Sequence, residues 1–164
     1  DVLKSTGKVF SIEMHHKTVE LANPGDNIGF TCKGLKQEPS SGDVMVLLKD
    51  ATIKGLSKTN KITAQVQVLQ HPNELKAGYT PVGHIRTGRA PLKMTAINWK
   101  MGKDTGGAKA DNPPALKTGD TAEVVFEPQM PFVADTFEKC EGLARLALME
   151  SSQPIMLGKI VKIE

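Results

Sequence analysis

The chain has 164 residues, 39% of them apolar and 24% charged, with 4% aromatic and a formal net charge of +3. This is enough apolar content for one or two folded domains and excludes a disordered tail. So few aromatics exclude a base-stacking platform of repeated Phe and Tyr. Two cysteines far apart, Cys32 and Cys140, exclude a disulfide scaffold or a zinc knuckle.

The sequence opens on Asp1 and reaches a strand-like pattern at once, with no initiator Met and no signal-peptide core. No apolar run approaches the ~20 residues of a membrane span, so no membrane partner is expected. An opening of this kind reads as a piece of something longer. From Lys8 to His16 the period is two: Phe10, Ile12 and Met14 are predicted on one face, and Val9, Ser11, Glu13 and His15 on the other. The turn signal Asn23-Pro24-Gly25-Asp26 precedes a strand predicted over Asn27–Lys33, and a third is predicted over Asp43–Lys49. Residues 50–60 lose apolar content and read as a linker.

A second series of strands starts at Lys61–Gln70, where Ile62, Ala64, Val66 and Val68 alternate with Thr63, Gln65 and Gln67. Further strands are predicted over Thr80–Thr87, Pro91–Met101, Thr121–Glu127, Phe132–Phe137, Leu143–Glu150 and Ile155–Ile163. Many short strands separated by Gly, Pro, Asn and Asp argue for an all-β protein of barrels or sandwiches. Three strands before the linker cannot close a barrel, so residues 1–56 are expected to be the C-terminal part of one barrel. Residues 57–164 are expected to form a second.

The net charge conceals an uneven distribution. Residues 1–56 are neutral, residues 57–117 carry +7 and residues 118–164 carry −4. Arg86, Arg89, Lys93, Lys100 and Lys103 follow one another without an intervening acid. Such a stripe suits a phosphate backbone, and equally a solvated face balanced by the acidic segment.

Signatures of catalysis fail one by one. Gly83–Ala90 departs from a phosphate-binding loop, because Arg89 and Ala90 stand where Lys and a hydroxyl are needed and the segment lies between two strands. His15 and His16, adjacent in a strand, would project to opposite faces and could not share a metal. There is no nucleophile elbow and no arguable carboxylate pair. Glu13 and His15 share a face, which fits either polar recognition or an ordinary exposed strand.

Ser11-Ile12-Glu13-Met14-His15-His16-Lys17, followed by Asn23-Pro24-Gly25-Asp26-Asn27-Ile28-Gly29-Phe30, resembles the second half of domain II of the translation elongation factor 1-alpha/Tu family. Gln65-Val66-Gln67-Val68-Leu69 with His71-Pro72, Gly78-Tyr79-Thr80-Pro81, Leu143-Ala144-Arg145-Leu146 and Leu157-Gly158-Lys159-Ile160-Val161 are similar to domain III. The two histidines resemble the eukaryotic and archaeal branch. Ile97–Lys103 and Val125–Pro128 resemble the elongation factor-like (EFL) proteins of some protists.

The resemblance implies two β-barrels, the first incomplete, from a cytoplasmic GTPase that delivers aminoacyl-tRNA to the ribosome. It implies that Glu13, His15, His16 and Asn27 hold the acceptor end of the tRNA. It places the T stem near His71, Tyr79 and Thr80, with Arg86, Arg89, Lys100 and Lys103 as candidate phosphate contacts. Met149, before Glu150, replaces an arginine of the bacterial pattern. GTP and Mg²⁺ would belong to the parent's GTP-binding domain, itself a partner of this segment, so the segment itself would be no enzyme and hold no cofactor. A nucleotide-exchange factor on domain II and, for some members, actin are further implied partners. The alternatives are a protein-gripping module of the release-factor-3 or ribosome-rescue type, and a subunit from the sulfate-activating branch.

Overall fold

The computed structural model describes residues 5–49 and 59–164; the predicted linker lies almost wholly outside them. The chain divides into two compact units: Asp1–Ser40 with Met45–Ser57, and Ser41–Val44 with Lys58–Glu164.

In the first unit β1 (Lys8–Met14) lies between β2 (Lys17–Val19) and β3 (Gly29–Lys33), antiparallel to both. The expected facing is corrected at one point. Val9 pairs with Cys32 and Ser11 with Thr31, leaving Phe10 as the extra residue of a β-bulge. The bulge moves Val9 to the face of Ile12, Val19, Phe30 and Cys32. Phe10 instead lies under Lys33, whose Nζ is 3.2 Å from the ring centroid. Residues 43–47, expected within a strand, are not in one.

In the second unit β4 (Ile62–Val68), β5 (Val82–Ile85), β6 (Gly88–Met101), β8 (Thr121–Pro128), β9 (Arg145–Glu150) and β10 (Gln153–Ile163) run in the order β5-β9-β10-β4-β8-β6. Pairing of β6 back to β5 closes the barrel, which leaves it no long free edge. The short β7 (Ala110–Asp111) extends it beside the far end of β6. Alternate residues of β4 and β8 fill the interior, with Ile62, Ala64, Val66, Ala122, Val124 and Phe126 all buried. Burial of each large apolar side chain among them stabilises the fold by ~1.5–3 kcal/mol.

Along β6 the inward residues are Ala90, Leu92, Met94, Ile97 and Lys100. Two bulges, between Met94 and Ala96 and between Ile97 and Trp99, stretch the spacing from two to three. The strand predicted over Phe132–Phe137 does not form. Phe132 is buried, but the backbone there bonds across to other segments, Asp135 N–H to the Leu143 carbonyl and Phe137 N–H to that of Ile160. Gly83–Ala90 is a β5–β6 hairpin, the wrong setting for a phosphate loop that needs a following helix.

Candidate nucleic-acid interface

In the first unit the polar face of the sheet carries Ser11, Glu13, Thr18 and Thr31, with Gly29 directly opposite Glu13. Glu13 is exposed. Met14 pairs with Lys17, so His15 and His16 are the two central residues of a tight hairpin turn. Both have positive φ, 51° and 61°, as a type I′ turn demands. The expectation that they lie on opposite faces of a strand is therefore corrected: the strand ends at Met14, and both project from its tip. Asn27 is exposed, two residues before β3, after a turn closed by the Asp26 N–H to the Asn23 carbonyl at 3.1 Å. By register, Glu13, His15, His16 and Asn27 come to one end of the sheet.

In the second unit His71 is no free ligand for a phosphate. Its side chain is only 7% exposed, with Nδ1 2.8 Å from the Asn73 carbonyl oxygen and Nε2 3.2 Å from Oε2 of Glu150. Its backbone N–H and carbonyl both bond to Oγ1 of Thr118. Tyr79 meets the imidazole edge-on at 5.8 Å. The enclosed Tyr79 hydroxyl makes no hydrogen bond of good geometry among the described residues, with the Glu150 carboxylate as its neighbour. Burial, and then the neighbouring Glu150 carboxylate, push its pKa up to about 12. Thr80 is exposed, its hydroxyl donating to the Gly78 carbonyl at 3.2 Å.

The basic stripe is broken up. Arg86 and Arg89 are exposed on the β5–β6 hairpin, and Lys103 stands beyond the other end of the 14-residue β6, ~40 Å along the strand. Lys100 is corrected outright as a surface cation. Its side chain is 7% exposed and its Nζ donates to Asp104 at 2.7 Å and to Asp120 at 3.2 Å. The Asp104 bond, opposed by burial and seconded by Asp120, raises the Lys100 pKa, and Lys100 in turn lowers that of Asp104.

Arg86 instead joins residues that the charge pattern missed. The β5–β9 ladder pairs Val82 with Met149 and His84 with Ala147, and Arg86 and Arg145 stand just beyond its last pair. Arg86 Nε donates to the Gly142 carbonyl at 3.2 Å, and Arg145 Nε to Glu141 at 3.0 Å. These two arginines, Glu141 and Gly142 line an open cavity of about 490 Å³. The Phe137 ring lies beside it, with Arg145 at 5.6 Å and Lys159 Nζ at 5.5 Å. The signal available in sequence was the outward phase of Arg145 at the start of its strand. The His71–Tyr79–Glu150 cluster sits at the other end of β9, ~17 Å away. Among the described residues, no group of three or more His, Cys, Asp or Glu could hold a metal ion, and no helix is long and apolar enough to cross a membrane.

The class is that of closed antiparallel β-barrels, here with two polar clusters along one strand ladder. The fold is shared with Sup35 complexed with GMPPNP, at a TM-score of 0.83 and 23% identity over 96% of this chain and 38% of that one. The chain belongs to the GTP-eEF1A C-terminal domain-like family, which matches residues 61–161. Elongation factor 1-alpha of Methanopyrus kandleri is 40% identical over 98% of this chain and 38% of its own length. That of Plasmodium falciparum is 41% identical over 92% of this chain and 33% of its own. The chain thus spans little more than a third of the curated relatives it matches.

Proposed function

We propose that this chain is the aminoacyl-tRNA-binding part of a translation elongation factor GTPase that brings aminoacyl-tRNA to the ribosomal A site. The observation that carries the reading is that Arg86 and Arg145 line one open cavity, in a chain whose relatives are elongation factors 1-alpha. Two guanidiniums on one outward face suit RNA phosphates, whose recognition is independent of sequence, as a carrier of many tRNAs requires. Glu141, beside them, supplies an acceptor for ribose hydroxyls. In the first unit Glu13, the His15–His16 turn and Asn27 form the polar end that receives the terminal nucleotide and its ester. GTP and Mg²⁺ belong to a different part of the whole factor, and the ribosome is its site of action. The domain division proposed is 1–56 for the partial barrel and 57–164 for the closed one. The likeness to Sup35, at 23% identity, carries the fold and no partner, so the protein-gripping alternative gains nothing from it.

The test is protection of aminoacyl-tRNA against spontaneous deacylation by the whole factor loaded with GTP. Glu13→Ala and Asn27→Ala are expected to weaken protection. Normal protection in both would remove these residues from the site. Binding should also fall with added salt, and Arg86→Ala should flatten the log-log slope by about one. An unchanged slope assigns the arginines to another partner.

A further inference from the structure

We infer that Gly42 is a positioning residue for Arg86, acting through the β5–β6 turn; the inference rests on the RNA-binding reading above for its consequence, not for its geometry. Ser41–Val44 belong to the second unit although the chain on either side of them belongs to the first. Within that unit Gly42, at φ +99°, is pressed against the turn. A methyl added there would stand 2.7 Å from the Cα of Gly88, 3.2 Å from its nitrogen and 3.6 Å from the Thr87 carbonyl carbon. The obstacle is backbone, which cannot swing aside as a side chain would. A methyl on Gly88 itself would meet the Ile85 carbonyl oxygen closely, at 3.3 Å, and Gly42 at an ordinary contact distance of 3.7 Å.

Ile85 pairs with Gly88, so Arg86 and Thr87 are the two turn residues, and Arg86 has φ +54°. A non-glycine residue in that region persists where its surroundings over-determine it. Three restraints do so here: the Ile85–Gly88 pair, the Arg86 Nε bond to the Gly142 carbonyl, and Gly42 against Gly88. The first two belong to the hairpin and its neighbour. The third comes from more than forty residues away in sequence and fixes where the turn stops. Displacing Gly88 to admit a side chain at position 42 moves the Arg86 backbone and withdraws its guanidinium from Gly142 and from the cavity shared with Arg145. Gly42 touches no ligand; its part is to set where an arginine stands.

The experiment uses the 164-residue chain with Gly42→Ala, and Gly88→Ala as a milder change to the same turn that presses on the Ile85 carbonyl oxygen. Gly34→Ala is the control, because Gly34 has φ +82° and open space around it, so it shares the backbone strain without the contact. The first readout needs no RNA: the side-chain Nε–Hε NMR signal of Arg86, which reports its bond to Gly142. It should shift and exchange faster in Gly42→Ala, to a lesser degree in Gly88→Ala, and not in Gly34→Ala. The second is the salt dependence of tRNA binding. Gly42→Ala should lower the log-log slope by as much as Arg86→Ala does, about one, and the double variant should add nothing. An unmoved Arg86 signal in both Gly42→Ala and Gly88→Ala overturns the inference, as does full additivity with Arg86→Ala. Should Arg86→Ala itself leave tRNA binding unchanged, the RNA reading fails while the NMR comparison still decides the positioning.

Discussion

The guanidinium of Arg86 lies across Gly142: Nε donates to the Gly142 carbonyl at 3.2 Å, and a methyl at position 142 would stand 2.7 Å from Nη2. The absence of a side chain there lets an exposed arginine be held by its neighbour's backbone. Gly142→Ala is expected to push the guanidinium off this seat. Binding of tRNA should weaken and its salt slope should fall toward that of Arg86→Ala, while thermal stability changes little. Unaltered binding would show that Arg86 works without this seat.

Lys100 and Asp120 are a buried ion pair, and removing one partner strands the other. Lys100→Met should destabilise the barrel by about 3 kcal/mol, because the Asp120 carboxylate, 3% exposed, loses its cation. The tRNA salt slope should stay as it is, since this lysine reaches no phosphate. A lowered slope with normal stability would reverse the assignment. The network also has a pH signature. Lys100 has a raised pKa in the fold, so its contribution is full below the ordinary 10.5 and fades as pH rises through the raised value. Asp104 has a lowered one, so its contribution is full above 3.8 and fades as pH falls through the lowered value. Denaturant titrations across pH should show a plateau between these limits.

Tyr79 is the chain's single tyrosine, so its ionisation can be followed by ultraviolet absorbance without ambiguity. The midpoint should lie near about 12 in the folded chain and near 10 in denaturant. The sign follows: the unfolded phenol gives up its proton first, so stability falls as pH climbs from 10 towards 12. Glu150→Gln should bring the midpoint part of the way down, burial accounting for the remainder. A folded midpoint at 10 would mean that the hydroxyl is open to water.

His15 and His16 occupy positive φ in a turn for which Asn-Gly is the easier choice. Left-handed backbone costs an ordinary side chain about 1 kcal/mol. Replacing the pair by Asn-Gly should therefore stabilise the β1–β2 hairpin and raise the melting temperature. The same variant should weaken protection of aminoacyl-tRNA by the whole factor. A gain in stability with undiminished protection would leave the histidines without a part in recognition.

The period of two along Lys61–Gln70 and Thr121–Glu127 was enough to read an all-β fold, because one face of each strand must be apolar to be buried. The Ser11–Lys17 and Asn23–Phe30 segments carried the family likeness, since both are short, local and rich in residues with few substitutes. What failed to read were features set by chain segments far apart. The Val9 bulge and the two bulges of β6 depend on which partner strand each residue meets. The burial of Lys100 depends on Asp120 arriving from the turn before β8. A strand is expected over Phe132–Phe137, yet its backbone groups bond to separate segments, Asp135 to Leu143 and Phe137 to Ile160.

The +3 net charge divides in the same way between sequence and fold. Sequence by itself determined that positive charge gathers between residues 57 and 117, because composition is additive along the chain. Only the tertiary structure decided which of those charges face outward. Folding neutralised Lys100 inside the barrel and carried Lys103 away along β6. It brought Arg86 beside Arg145, because a closed antiparallel sheet makes neighbours of residues that the chain keeps apart.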